Sequence, residues 1–279
     1  MISLTFILSL ALVPFAFAQN DTQLQIEAIE AHFSNAGLVP SLLSTFAPEA
    51  DLVLDFTGVG SITPGQALSK TQVAPAPSVL ITPANSSVKL EGSFTLAMID
   101  ADIVGADETQ GQTRHWLVNG VTLSGSSPLN ASTESATTIT NYAGPGPAAG
   151  SGAHRYVVLL YTQPSSFAAP DGLNAPGAPV EKFVFSDYVK NSGLGPLVAA
   201  TYFTVEEGTA TVTVSSTAAV VSSTLPAVTA SGSSSASGSA SGSGSSPAPT
   251  GSNQNSASPS KIFSPAVVFV AFALGFFLG

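Results

Sequence analysis

Gly144-Pro145-Gly146-Pro147-Ala148-Ala149-Gly150-Ser151-Gly152-Ala153-His154-Arg155-Tyr156 is the stretch that decides the fold of this chain. Four glycines and two prolines in thirteen residues cannot sustain a helix. The run opens into Tyr156 to Thr162, an apolar, β-prone segment of strand length. Gly144, Gly146 and Ala149 formally fit a dinucleotide-binding pattern, but Pro145 and Pro147 lack the N–H groups that would hold a pyrophosphate, and no helix opens there. What remains is a turn feeding a strand on which His154 and Tyr156, two apart, share a face.

Outward from this strand the pattern is mostly β. Leu52, Leu54 and Phe56 alternate with Asp51, Val53 and Asp55, as in a half-buried strand. Ser78 to Thr82, Ser93 to Asp100, His115 to Val118 and Thr201 to Glu206 are further short β-prone runs, separated by Pro and Gly clusters. Two helices are predicted. The first is opened by Thr22 and Gln25 at capping-box spacing, carries Ile26, Ile29 and Phe33 on one face, and stops at Gly37. The second spans Val180 to Asn191 and ends near Gly193. Strands dominate without βαβ alternation, so the expected class is mainly β, with antiparallel sheets and few helices.

Chemistry-bearing residues are few. No His-Glu-x-x-His pair occurs, a zinc site would have to be built without cysteine, and there is no Gly-x-Ser-x-Gly elbow. Neither a metal nor a cofactor is expected, nor an N-terminal histidine brace, since the mature chain would begin at Gln19. Three histidines are present. His32 sits on the first helix, where an exposed position is the ordinary expectation. His115 opens one strand and His154 another, and Asp100 and Asp102 close a third, pointing the same way if that strand persists. Singly, each histidine reads as a hydrogen-bonded structural residue; together they form a site only if the strands converge.

Three blocks in order, Ile99-Asp100-Ala101-Asp102, Arg114-His115-Trp116-Leu117-Val118-Asn119 and Gly144 to Tyr156, resemble the signature blocks of the phosphatidylethanolamine-binding proteins. Leu194-Gly195-Pro196-Leu197-Val198-Ala199 followed by Thr201-Tyr202-Phe203 is similar to that family's closing segment, and the likeness covers roughly Leu68 to Glu206. It implies a large antiparallel sheet packed on a smaller one, with a shallow anion pocket lined by Asp100, His115, His154 and Tyr156 beside Gly144 and Gly146. Imidazole and phenol donors suit a phosphate or carboxylate, and a glycine turn lets a ligand approach the main chain. Where the family carries Asp-Pro-Asp-x-x-Pro this chain has Ala101 and no proline through Val104, and Arg114 replaces a first histidine. Asp107, Glu108 and Arg114 are therefore expected to alter the rim. The implied function is a non-enzymatic binding module for phospholipid head groups or similar small phosphorylated anions. The alternatives are an inhibitor of serine carboxypeptidases and a wall protein with a vestigial pocket.

The ends and the charge distribution set the expected compartment. Ile2 to Phe17 is apolar and closes on Ala16-Phe17-Ala18, the pattern of a signal peptide over residues 1–18. Residues 19–207 hold all seventeen acids and six of the seven basic residues, a net of −11, which disfavours nucleic acid as a partner. Gly208 to Ser260 contains no charged residue and reads as a disordered, O-glycosylated Ser/Thr/Gly/Ala stalk, reaching roughly 40 Å as a bare coil. Residues 261–279 form an apolar tail behind small residues and a polar spacer, the order of a glycolipid-anchor signal, with Gly251 or Asn255 as attachment site. A single membrane span is the other reading, although eighteen apolar residues barely cross a core of about 30 Å. Asn20, Asn85 and Asn130 each head a glycosylation sequon, and the absence of cysteine leaves folding to the apolar core. Together these features describe a secreted, fungal-type, glycolipid-anchored surface protein, with the membrane reached through the anchor and a protease as a possible partner.

Overall fold

The structure, a computed structural model, describes residues 15–211 and Val220, with side chains from Asp21 onward. The expected signal peptide up to Pro14, the stalk beyond Thr211 other than Val220, and the apolar tail lie outside the described residues. Helix α1 (Phe15–Asn35) and the short α2 (Leu38–Ser41) precede β1 (Ala50–Phe56), β2 (Gly60–Ser61), β3 (Gln66–Leu68) and β4 (Ser78–Pro83). Next come β5 (Ser93–Asp100), β6 (Gln112–Ser124), β7 (Leu129–Ser132), β8 (Thr137–Thr140) and β9 (His154–Gln163). The last elements are β10 (Glu181–Phe183), α3 (Phe185–Ser192) and β11 (Leu197–Val205).

The strands follow the order β2-β1-β4-β7-β6-β5-β9-β11-β3, with β8 and β10 also pairing with β6. All these pairs are antiparallel except β11 with β3, so the sheet is mixed rather than purely antiparallel. Strand β6 belongs to both sheets: its first part pairs with β5 in the larger sheet, while Thr122 to Ser124 pair with β7 in the smaller one. The register slips where Val121 faces Phe94 and Asn119 faces Thr95, leaving Gly120 at φ 84° as the unpaired residue. That left-handed position is one glycine adopts without penalty, and a bulge there turns the strand from one sheet to the next.

The period-2 alternation of strands builds two cores. Leu96, Met98, Trp116, Val118, Tyr156, Val158, Leu160 and Phe203 face the smaller sheet, against Leu52, Leu54, Phe56, Val79 and Ile81. Ala97, Ile99, Leu117, Val157, Leu159 and Tyr202 face the helices, against Ile29, Phe33, Leu38, Phe185 and Tyr188. The larger sheet is thus covered on both faces, so β5 and β9 read as continuous apolar runs while β1, covered on one side, alternates. With roughly 1.5–3 kcal/mol for each large apolar side chain fully buried, these two layers stabilise a domain that has no disulfide.

Several expectations are corrected. Helix α1 runs from Phe15, through the expected cleavage point and Thr22, so Thr22 does not cap it; Gly37, at φ 65°, does end this segment. The second helix is shorter than expected, because Glu181 to Phe183 pair with Arg114 to Gln112 as β10 and the helix begins only at Phe185. Strand β6 extends well past His115–Val118. His32 is half-buried against Tyr202, with ring centroids 6.4 Å apart, and burial lowers its pKa.

One side chain ties the helical layer to the loop that follows β5. Arg155 is buried, and its guanidinium donates to the carbonyls of Ala36 (2.6 Å), Asp102 (2.9 Å), Ile103 (2.9 Å) and Ala101, and to Glu108 Oε1 (3.1 Å). Arg155→Met would strand the Glu108 carboxylate and several carbonyls in a dry setting. The expected loss is about 3–5 kcal/mol of unfolding free energy, measured by urea titration. A loss under about 1 kcal/mol, within the range of an ordinary surface substitution, would show that these contacts do not hold the loop.

Candidate anion-binding site

Consecutive residues of β9 serve opposite faces. Arg155 points to the helices, and His154 and Tyr156 to the other side, where Asp100 of β5 stands directly opposite Tyr156. His115 reaches the same place by an irregularity. Met98 pairs with Trp116 but Ile99 pairs with Arg114, so His115 is the extra residue of a bulge in β6. The bulge turns the imidazole onto the Tyr156 face, with ring centroids 5.2 Å apart and edge to face.

Each group has a readable protonation. His154 Nδ1 lies 3.0 Å from Asp100 Oδ2 and 3.2 Å from Oδ1, and so carries a proton toward the carboxylate. Its Nε2 lies 2.9 Å from Ser151 Oγ, whose single proton goes to the Ala148 carbonyl at 2.7 Å. That hydroxyl then accepts from Nε2, and His154 is an imidazolium. Its pKa is accordingly raised, chiefly by the hydrogen bond it donates to Asp100. His115 is the opposite case: Nδ1 donates to the Ala143 carbonyl at 3.0 Å, and burial lowers its pKa, leaving Nε2 as a lone pair. The Tyr156 hydroxyl is buried, and that burial, with the Asp100 charge next, raises its pKa far above the ordinary phenol. It lies beside Asp100 and the Gly146 main chain yet meets neither in hydrogen-bond geometry, so it has no partner.

Beside this cluster is a cleft of about 170 Å³ lined by Asp100, Asp102, Asp107, Glu108, His154 and Lys182, among others. Four carboxylates outnumber two cationic groups, so the cleft is acidic even with His154 protonated. Asp102 is the one non-glycine residue at positive φ (56°) among the described residues. Strand β5 ends at Asp100 instead of persisting, and the Asp102 N–H turns back onto Asp100 Oδ1 at 2.7 Å. Such a conformation is held only where the surroundings over-determine it. A larger hollow of about 510 Å³ lies among Leu42, Leu43, Tyr161, Phe185 and Leu197, toward the other end of β9; Lys190 lines it but no histidine or carboxylate does, so the histidine–carboxylate pairing belongs to the smaller cleft.

The fold therefore brings together Asp100, His115, His154 and Tyr156, with the Gly144–Gly146 turn alongside. A Cβ on Gly144 would lie 3.1 Å from the Val73 carbonyl oxygen and the Ala74 Cα, whereas one on Gly146 would meet nothing within 4 Å. Gly144 is thus needed for packing, and the open approach is at Gly146. Asp107 and Glu108 do line the cleft. Arg114 does not. It is buried on the opposite face, bound to Thr140 Oγ1 (2.7 Å), the Pro179 carbonyl (3.0 Å) and Glu181 (3.1 Å), and stacked over Phe183. The bulge at His115 separates the two neighbours. Ser151 and Lys182 escaped sequence reading. Ser151, three residues before His154 in a glycine-flanked turn, offered a signal; Lys182 offered none, because its place depends on β10 pairing with β6.

Comparisons with known proteins bear on the family and the fold. The 26 kDa secreted antigen of Toxocara canis is 32% identical over 139 residues, half of this chain and 48% of that protein. The chain thus spans about half the length of that relative. CEN-like protein 1 of Nicotiana tabacum is 28% identical over 176 residues, 63% of this chain and 91% of that one. Among solved structures, carboxypeptidase Y inhibitor, crystallised with its cognate proteinase, superposes with a TM-score of 0.54 at 23% identity, over 69% of this chain and all of that one, which shows the shared fold. The family model described as phosphatidylethanolamine-binding protein matches residues 45–203, a span that contains every residue of the site and all strands except the last two residues of β11. The chain belongs to the phosphatidylethanolamine-binding protein family.

Proposed function

We propose that this domain binds a phosphorylated head group, and that the preferred form is zwitterionic. The carrying observation is the Tyr156 hydroxyl: buried, protonated and without an acceptor. An orphaned buried donor of this kind costs about 1–3 kcal/mol, which a ligand oxygen entering past Gly146 would recover. The His115 ring packs edge to face on Tyr156, centroids 5.2 Å apart, and the acidic cleft supplies carboxylates for an ammonium group on the same ligand. A purely anionic ligand would meet four carboxylates at the rim, whereas phosphoethanolamine places opposite charges where each is favoured.

The module is proposed to act outside the cell, carried on a glycosylated stalk and glycolipid anchor. Two of its sequon residues are exposed where a glycan has room: Asn85, whose Oδ1 accepts the Ser87 N–H at 2.9 Å, and Asn130 on β7. A second reading is inhibition of a serine carboxypeptidase, supported by the fold shared with carboxypeptidase Y inhibitor.

Calorimetric titration with a phosphodiester head group tests the binding reading. Tyr156→Phe is expected to weaken binding by about 1.5–3 kcal/mol, or roughly tenfold to a hundredfold, and His115→Ala to do so at acid pH, where Nε2 carries a proton, with melting temperatures showing that the variants remain folded. Affinity should rise as pH falls below about 6.5. Burial holds His115 neutral above that range, and the proton it gains below it adds a positive donor facing the ligand; a diester does not titrate in the same window. Unchanged affinity in a folded double variant would remove both residues from the site.

For the anchor, phosphatidylinositol-specific phospholipase is expected to release the protein from membranes, and deletion of residues 262–279 to send it into the medium. Retention of the deleted form on membranes would exclude the glycolipid. The inhibitor reading predicts loss of serine carboxypeptidase activity on titration with micromolar protein. No inhibition at that concentration would remove the inhibitor reading.

A further inference from the structure

The hydrogen-bond chain at the site has a second meaning. Asp100 Oδ2 lies 3.0 Å from His154 Nδ1, and His154 Nε2 lies 2.9 Å from Ser151 Oγ. A carboxylate orients one ring nitrogen while the other meets a hydroxyl, which is the relation by which a histidine activates a nucleophile. Ser151 is half-exposed, and it stands between Gly150 (φ 79°) and Gly152 (φ 96°) in a turn that lifts its side chain from the sheet.

We infer that Ser151 is a nucleophilic serine, activated by His154 and oriented through Asp100, that takes the acyl group of small carboxylic esters. This goes beyond the binding reading and does not rest on it. In the acid form His154 holds both ring protons and the Ser151 proton points to the Ala148 carbonyl. When Nε2 loses its proton, the hydroxyl rotates about its C–O bond and donates to the freed lone pair. Ser151 Oγ then attacks the ester carbonyl carbon as its proton passes to Nε2. The bond from that carbon to the alcohol oxygen breaks, and the departing alkoxide takes the proton from Nε2 and leaves as the alcohol. Water adds to the acyl-serine by the same route, its proton passing through Nε2 to Ser151 Oγ, and the carboxylic acid is released. A cleft of about 170 Å³, lined on one side by His154, lies next to the relay.

The proton relay must work in a crowded field. Asp100 and Asp102 favour the imidazolium, Asp102 Oδ1 lying 3.7 Å from Nε2, while burial and Arg155 oppose it. The carboxylates prevail, so activation requires a pH above the ordinary histidine range.

The test uses the intact protein with p-nitrophenyl acetate, and separately with a fluorophosphonate followed by peptide mass spectrometry. Release of p-nitrophenol and covalent mass on the peptide containing Ser151 are expected. Ser151→Ala should abolish both, and His154→Gln should slow labelling by about a hundredfold, the range of a lost general base. Wild-type labelling should accelerate as pH rises from about 5 to about 9, with its midpoint above the ordinary histidine value. Should His154→Gln fail to fold, this pH profile decides alone. A flat profile, labelling confined to other residues, or equal ester cleavage by wild type and Ser151→Ala would overturn the assignment.

Discussion

A guanidinium removed from water must find an acceptor for each of its donors, and Arg155 meets that demand by drawing separate parts of the chain to itself. The carbonyl of Ala36 comes from the end of α1, those of Ala101, Asp102 and Ile103 from the turn after β5, and Glu108 from the loop before β6. Because a strand alternates its faces, fixing Arg155 toward the helices fixes His154 and Tyr156 toward the smaller sheet. The same contacts hold the turn from which Asp100 meets His154. The buried cation thus sets the frame, and the exposed chemistry is assembled on its reverse side.

On that side the charges are arranged for restraint. The Asp100 carboxylate accepts from His154 Nδ1 and from the Asp102 N–H, so its charge is largely matched. His115, shielded by burial, stays neutral, and Tyr156 keeps its proton. Strong attraction for any anion is absent. Discrimination comes from geometry, through a phenol without a partner, an imidazole lone pair and an acidic rim within reach of one small molecule. The two proposals draw on different members of this cluster, Tyr156 and His115 for binding, Ser151 and His154 for acyl transfer.

Much of this was legible along the chain. Alternation at Leu52, Leu54 and Phe56 and the apolar runs of β5 and β9 announced strands, and the family resemblance of the blocks that hold them implied a cluster of Asp100, His115, His154 and Tyr156. The limits of legibility have physical causes. Short strands such as β3 and β10 carry too few residues for a period to show, and they exist because an edge of β11 or β6 offers them hydrogen bonds. Helix α1 runs past the Thr22 capping signal to Phe15, since a local cap competes with continued helical bonding.

Fold class, family and the identities of the residues that hold protons follow from the order of residues alone, because hydrophobic periodicity and rare side chains are properties of single segments. The direction of those side chains was left to tertiary structure. Arg114 and His115 are neighbours, yet one is buried beneath Phe183 and the other faces Tyr156, and the cause is a one-residue slip between β5 and β6. Whether His154 is an imidazolium, and whether Ser151 touches it, depends likewise on pairings between residues far apart in the chain. A bulge or a long-range hydrogen bond is a relation between strands, and no strand carries it alone.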